Sequence, residues 1–135
     1  MREMFFMSDL EHGRELLEMA RGDLNAMRGM LDSNSPYFSD EIFGFHAQQA
    51  AEKSMKARLA VLGIEYPKRH DLMVFIDLLE SSGEDVTDLS DLVDLNPFGV
   101  QYRYESLPDD DDELNRLEIL EKIEQLFTRI ERLVV

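Results

Sequence analysis

The stretch that decides the fold is residues 45–71, FHAQQAAEKSMKARLAVLGIEYPKRHD. Its pattern predicts one helix, a stop at Gly63, and the start of another helix at His70 or Asp71. Side chains three and four positions apart lie on one face of a helix. The first of these helices is otherwise rich in Ala, Phe, Met, Leu and Val. The spacing therefore predicts one polar stripe on it, made of His46, Gln49, Lys53 and Lys56.

Positive charge is concentrated in the same stretch. Five of the fourteen Lys and Arg lie between Lys53 and Arg69, against one acid, Glu65, for a local balance of five minus one, or +4. The whole chain has a net charge of −15. Lys68, Arg69 and His70 follow the turn and precede a helix N-terminus, where backbone N–H groups attract anions. This patch indicates a site for a small anionic group.

Composition limits the classes of protein to which the chain can belong. Its 135 residues, 44% of them hydrophobic, predict a single domain over residues 1–135. A pI near 4.4 opposes contact with nucleic acid, so we expect no DNA partner and no general RNA binding. The chain has no cysteine, which excludes disulfides, thiolate zinc sites and cysteine nucleophiles.

Nothing in the sequence indicates a membrane or a secretory protein. The opening MREMFFM is too short for a signal sequence and contains an acid, and no apolar run approaches the length of a membrane span. We therefore expect a cytoplasmic protein. No Gly-rich phosphate loop, metal-ligand spacing or nucleophile–base pair is visible, so no cofactor is predicted.

Helical patterns extend over most of the chain. Ser8 begins a capping-box sequence, which predicts a first helix from Ser8 to Leu31. The second should run from Ser39 or Asp40 to about Leu62 and form the centre of the fold, because it is apolar on most sides. The remaining predicted helices are a short one ending at residues 81–83, a fourth over 87–96 broken by Pro97, and a last one after the acidic run 109–113. The sum is an all-α, antiparallel up-and-down bundle of about five helices.

The predicted central helix has one face of mostly small side chains, which would permit a neighbouring helix to approach closely. These side chains are Phe43, Ala47, Ala50, Ser54, Ala57 and Val61.

Two runs of this sequence, 46–57 and 63–72, resemble the HEPN family. A weaker match is the Tyr102-Arg103-Tyr104 element. The resemblance implies a compact α-helical bundle from a prokaryotic cytoplasm, usually dimeric and often paired with a minimal nucleotidyltransferase. It also implies a link to nucleotide binding or to toxin–antitoxin function.

One departure from the family pattern bears on activity. Ribonuclease members carry an Arg and a His late in the chain, with four to six residues between them. Here the histidines are His12, His46 and His70, and none has an Arg at that distance upstream. We therefore expect a non-catalytic module that binds a nucleotide or partners a nucleotidyltransferase. The alternatives are a divergent ribonuclease using His46 or His70 with Lys53 or Arg103, and an assembly domain without a ligand.

The candidate ligand-binding set has a structural alternative at each position. His46, Gln49 and Lys53 can hold a phosphate or a base edge, or can belong to a solvated face or a buried hydrogen-bond network. Arg103 can clamp a phosphate beside a stacking tyrosine, or can pair with an acid. Asp71 is expected to cap its helix. The full set is His46, Gln49, Lys53, Lys56, Lys68, Arg69, His70, Tyr102 and Arg103.

A homodimer is expected, because two-fold dimers are the commonest assembly and the family resemblance implies one. The candidates for its interface are apolar side chains outside the main stripes, namely Leu16, Met30, Val74 and Phe98.

Overall fold

The computed structural model describes residues 2–33, 38–100 and 114–134. These ranges contain five α-helices, one 3-10 helix and no strand. The predicted all-α bundle is confirmed. Its elements are α1 (Arg2–Ser33), α2 (Asp40–Val61), α3 (Leu72–Ser81), a 3-10 helix (Ser90–Leu95), α4 (Asn96–Val100) and α5 (Arg116–Val134).

Helix α2 is the central element, as its composition predicts, and it packs against every other helix. Its N-terminus is capped by Ser39, whose hydroxyl accepts a hydrogen bond from the backbone N–H of Ile42. At its other end Gly63 has a φ of 72°, and the N–H of Ile64 donates back to the carbonyl of Leu59. This is a Schellman ending, which places the stop where the sequence predicts it.

Helix α1 lies antiparallel to α2 and very close to it. Gly13 faces the late residues of α2, and a Cβ added there would lie 2.9 Å from Val61 Cγ2 and 3.1 Å from the carbonyl oxygen of Ala57. Ten residues further along α1, Asp23 contacts Lys53 and His46, which come earlier in α2. The absence of a side chain at Gly13 therefore permits α1 to approach α2 closely at Ala57 and Val61.

The predicted start of α1 is wrong. Ser8 is an interior residue of a helix that begins at Arg2, so the capping-box sequence does not mark an N-terminus. A capping sequence does not begin a helix when the residues before it can themselves be helical.

The predicted α-helix over 87–96 is also wrong, both in the type of helix and in the residue at which it ends. Residues 87–89 form a turn, Ser90–Leu95 form the 3-10 helix, and the chain then continues into α4. Pro97 does not break a helix there. It occupies the first turn of α4, where the N–H group that proline lacks has no intrahelical partner.

Two ion pairs show the direction of α5 relative to α1. Arg21 bonds Glu131 at 2.6 Å and Arg28 bonds Glu124 at 3.4 Å, so α5 runs antiparallel to α1. It therefore runs in the same direction as α2, and Arg116 at its start bonds Asp40 at the start of α2.

Two of the expected interface residues are buried within the protomer. Leu16 and Met30 belong to the core, and the partly buried Val74 and Phe98 pack against it. Leu16 and Met30 are therefore not free to contact a second copy. The large apolar side chains that are exposed, among the described residues, are Met19, Phe38, Met73, Leu117 and Leu133. In the part of the chain that the structure describes, no helix combines the length and apolar character that crossing a bilayer requires.

Candidate functional site

The candidate site lies on the polar side of α2. At about 100° of rotation per residue, His46, Gln49, Lys53 and Lys56 fall within an arc of roughly 80°. Gln48 and Glu52 extend this arc on one side. Helix α1 borders it on the side of His46 and Lys53, and the connection before α3 borders it on the side of Glu52.

The first half of the site, the Asp23 cluster, consists of Asp23, His46 and Lys53. Asp23 is 8% exposed and accepts two contacts, from His46 Nδ1 to Oδ1 and from Lys53 Nζ to Oδ2, each at 2.8 Å. A charge-assisted bond on each carboxylate oxygen offsets much of the cost of burying this acid. The side chains of His46 and Lys53 remain partly exposed, at 29% and 18%.

The second half, the Glu52 cluster, repeats this chemistry with Glu52, Lys56, His70 and Gln48. Glu52 is 3% exposed. Its Oε2 accepts from Lys56 Nζ at 2.9 Å, and its Oε1 contacts His70 Nδ1 at 3.0 Å and Gln48 Nε2 at 3.3 Å. Each cluster is therefore one buried carboxylate that holds one lysine and one histidine.

Two glutamines extend the Glu52 cluster along α2. Gln49 Nε2 donates to Gln48 Oε1 at 2.7 Å, and Gln48 Nε2 donates to the backbone carbonyl of His70 at 2.8 Å. Helix α4 covers Gln48, because a Cβ added at Gly99 would collide with the side-chain amide of Gln48. The glycine therefore lets the α4 backbone rest on the Gln48 side chain of the Glu52 cluster.

Aromatic rings line the Lys56 side of the site. The Lys56 Nζ lies 5.5 Å from the ring centre of Tyr66 and 5.2 Å from that of Phe75, within cation–π range. The Tyr66 hydroxyl lies 2.8 Å from His12 Nε2. The two rings therefore border Lys56 on two sides, in addition to Glu52.

His70 reaches α2 through the connection before α3. In the predicted antiparallel bundle, the chain would return along α2 within α3 itself. Instead residues 63–70 run back along α2, which brings His70 to the level of Glu52. From there α3 runs in the same general direction as α2, since Phe75 lies at Lys56 and Glu84, beyond the end of α3, pairs with Arg58.

The start of α3 shows which residue serves as its cap. Asp71 accepts from the backbone N–H of Met73 at 2.9 Å, as expected for a capping residue. The Asn96 amide adds two bonds there, accepting from the N–H of Leu72 and donating to Asp71. His70 is therefore left to contact Glu52.

The structure brings together five of the nine predicted site residues: His46, Gln49, Lys53, Lys56 and His70. Lys68 and Arg69 lie exposed in the connection just before His70, and neither forms an ion pair among the described residues. Tyr102 and Arg103 lie outside the described residues, so their place in the site stays a prediction.

Residues 45–71 carry fewer unpaired cations than their composition indicates. Three of their five cations are paired with acids, Lys53 with Asp23, Lys56 with Glu52 and Arg58 with Glu84. With neutral histidines, two lysines and two acids in the clusters sum to zero. Lys68 and Arg69 then supply the remaining positive charge of this face.

Three members of the site, Asp23, Gln48 and Glu52, are not among the residues predicted from the sequence. Glu52 had a visible signal, because it lies four residues before Lys56 on the same helix. Asp23 had a subtler signal. It follows Ala20 by three positions and precedes Met27 by four, which places an acid at core spacing on α1. A charged residue at such a position requires a buried partner.

The site offers hydrogen-bonding groups. In the described ranges, no group of three or more His, Cys, Asp and Glu is placed to hold a metal ion. The arrangement is suited to binding a polar ligand along the exposed edges of the two clusters.

Comparison with known proteins identifies one family. A family model described as the HEPN domain matches residues 14–133 of the chain. No match was found among curated proteins or among solved structures.

Proposed function

Because the chain belongs to the HEPN domain family, we propose that it is a non-catalytic HEPN-type module with two linked roles. It binds a nucleotide or a related phosphate compound on the polar face of α2. It also serves as the partner of a minimal nucleotidyltransferase in a toxin–antitoxin-like pair, as a cytoplasmic homodimer.

One observation carries the ligand-binding proposal: each buried carboxylate orients a lysine and a histidine without using all of their polar atoms. Asp23 engages only the Nδ1 atom of His46, and Lys53 gives it one of three N–H donors. Beside the Glu52 cluster, Lys68 and Arg69 are exposed and unpaired among the described residues. Fixed donors at a partly exposed edge, with free cations nearby, suit a ligand that carries a phosphate and a polar ring or sugar.

The charge balance of the site sets an expectation for affinity. Because Asp23 and Glu52 neutralise the two cluster lysines, a bare anion gains less here than on an unpaired cationic patch. We therefore expect weak binding, in the micromolar to millimolar range, to which the sugar or base also contributes.

Calorimetric titration with ATP and AMP tests this proposal on the full chain. A charge-assisted hydrogen bond to phosphate is worth roughly 1.5–3 kcal/mol, so Lys53→Met should weaken binding about ten-fold or more. The matched control is Lys122→Met, which removes a lysine that pairs with Asp91 and Glu118 on another surface. Equal affinity in wild type and Lys53→Met, or no heat at millimolar nucleotide, would refute nucleotide binding at this site.

The partner proposal has its own test. The chain and a minimal nucleotidyltransferase encoded beside it should co-purify when produced together, and sedimentation of the chain alone should give a species of twice 15.7 kDa. A neighbouring nucleotidyltransferase that elutes separately would contradict the partner role, and a monomer at micromolar concentration would contradict the dimer.

One feature favours the alternative function, a divergent ribonuclease. Asp23 orients the imidazole of His46 through Nδ1, which is the arrangement that prepares Nε2 to act as a general base. If the purified protein degrades RNA and His46→Phe abolishes that activity while His12→Phe does not, the module is catalytic and the non-catalytic proposal falls.

A further inference from the structure

The two histidines of the site contact carboxylates through the same ring atom. Nδ1 of His46 lies 2.8 Å from Asp23 Oδ1, and Nδ1 of His70 lies 3.0 Å from Glu52 Oε1. Each acid also binds a lysine through its other oxygen, Lys53 on Asp23 and Lys56 on Glu52. Each acid is therefore the anionic half of an ion pair with a lysine ammonium.

An ionised carboxylate can only accept hydrogen bonds. The proton of each contact must therefore sit on the histidine, at Nδ1. A neutral imidazole carries one proton on its two nitrogens, so with Nδ1 protonated the Nε2 atom is a bare acceptor. The same logic applies to His46 and to His70, although their carboxylates come from different helices.

From this geometry we infer that His46 and His70 are held as Nδ1–H tautomers and present Nε2 to the ligand as hydrogen-bond acceptors. The ligand group that they select is a donor, such as a ribose hydroxyl or the exocyclic amine of a nucleoside. An ionised phosphoryl oxygen, like those of a fully ionised nucleotide phosphate, is only an acceptor, so it gains nothing from a neutral His46. The phosphate of a nucleotide then depends on the ammonium and guanidinium groups of Lys53, Lys68 and Arg69.

This division of roles rests on the proposed nucleotide-binding function and makes it more specific. Acids neutralise the cluster lysines, and the acceptor nitrogens select the hydroxyl-bearing part of the ligand. The site is then selective for a nucleoside over a simple anion.

Nitrogen-resolved NMR of the histidine rings tests the tautomers without any ligand. In full-length protein labelled with ¹⁵N-histidine at mildly alkaline pH, His46 and His70 should show a protonated Nδ1 and an unprotonated Nε2. Asp23→Asn replaces the ionised acid by an amide of the same shape, which can donate as well as accept, so the constraint on His46 should relax while His70 keeps its tautomer. Spectra of the wild type with Nε2–H at His46, or with both nitrogens protonated at that pH, would overturn the inference.

Titration with adenosine, AMP and inorganic phosphate tests the ligand selection. His46→Phe keeps a ring of similar size and removes the acceptor. It should weaken adenosine and AMP binding roughly 3- to 10-fold, as the loss of one neutral hydrogen bond predicts, and should leave the affinity for inorganic phosphate unchanged. His12→Phe is the matched control, because His12 lies outside both clusters and bonds Tyr66.

The outcomes separate the two proposals. Phosphate affinity that falls with His46→Phe, while adenosine affinity does not, would overturn the acceptor role even if nucleotides bind. No binding of adenosine, AMP or phosphate would overturn the proposed function and the ligand selection with it, and the ring spectra would still decide the tautomers.

Discussion

Helix α2 buries two faces, and the burial of each is stabilised in a different way. One face is apolar and small, with Ala50 and Ala57 fully buried against its neighbours. The other is polar, yet it also buries Gln48 and Glu52 almost completely. The apolar face needs only area removed from water, whereas each buried polar group needs a specific partner at a fixed distance. Many sequences satisfy the first requirement, and few satisfy the second.

This difference predicts how much stability is lost when a residue on each face is substituted. Packing defects on the apolar face should cost stability in proportion to the volume lost. Charge defects on the polar face should cost stability according to the burial of the partner that is left behind.

The largest effect is expected on the apolar face, from Phe43→Ala. Phe43 is fully buried, and truncating a buried phenylalanine typically costs about 3–5 kcal/mol. Phe38→Ala is the control, since Phe38 is 36% exposed and should lose far less. Urea unfolding of the variants measures both changes as shifts of the midpoint at constant slope. Comparable losses at the two positions would mean that Phe43 is not a core residue.

A smaller effect is expected on the polar face, and two Glu–Lys pairs measure it. Glu52 and Lys56, four residues apart on α2, are 4% and 14% exposed in their side chains, whereas Glu118 and Lys122, four apart on α5, are 57% and 38% exposed. Glu52→Gln leaves Lys56 without its buried acid and should cost about 1–3 kcal/mol.

Its counterpart Glu118→Gln should cost less than about 0.5 kcal/mol, because exposed pairs of this spacing contribute little. The Glu118 carboxylate raises the pKa of Lys122 by accepting a hydrogen bond from it, so that shift should shrink in the same variant. If both glutamine variants unfold at the same urea concentration as the wild type, burial of the Glu52–Lys56 pair does not add to the stability of the protein.

The smallest effect compares two glycines of α1. A Cβ at Gly13 would press on Val61 and on the backbone of Ala57, whereas a Cβ at Gly22 meets nothing within 4 Å. Gly13→Ala should therefore lower the free energy of unfolding by about 1 kcal/mol or more. Gly22→Ala should raise it by about 0.5–1 kcal/mol, because alanine favours the helix. A gain at both positions in thermal unfolding would show that the two helices can separate without cost.

Local signals in the sequence were sufficient for several elements. The end of α2 at Gly63 and the cap of α3 at Asp71 follow from interactions that span no more than about five residues. The same kind of signal failed at Ser8 and at Pro97, where the neighbouring residues decide whether a cap or a proline begins a helix or sits inside one.

Half of the site could be predicted in the same way. His46, Gln49, Lys53 and Lys56 share a face because helical rotation places them there. Whether that face was solvated, bound a ligand or formed an internal network depended on partners elsewhere in the chain. The structure shows a network, since His46 and Lys53 share the carboxylate of Asp23 from α1.

What the sequence by itself determined is the presence of α1, α2, α3 and α5, the centre of the bundle and the polar stripe of α2, because these follow from the spacing of residues along one helix. What only the tertiary structure decided is the charge of that stripe. Asp23 comes from α1, and His70 comes from a connection that runs back along α2. No rule of helical spacing relates residues 23 and 53 or residues 52 and 70. Whether a lysine is a free cation or half of a buried pair depends on the atoms around it in space.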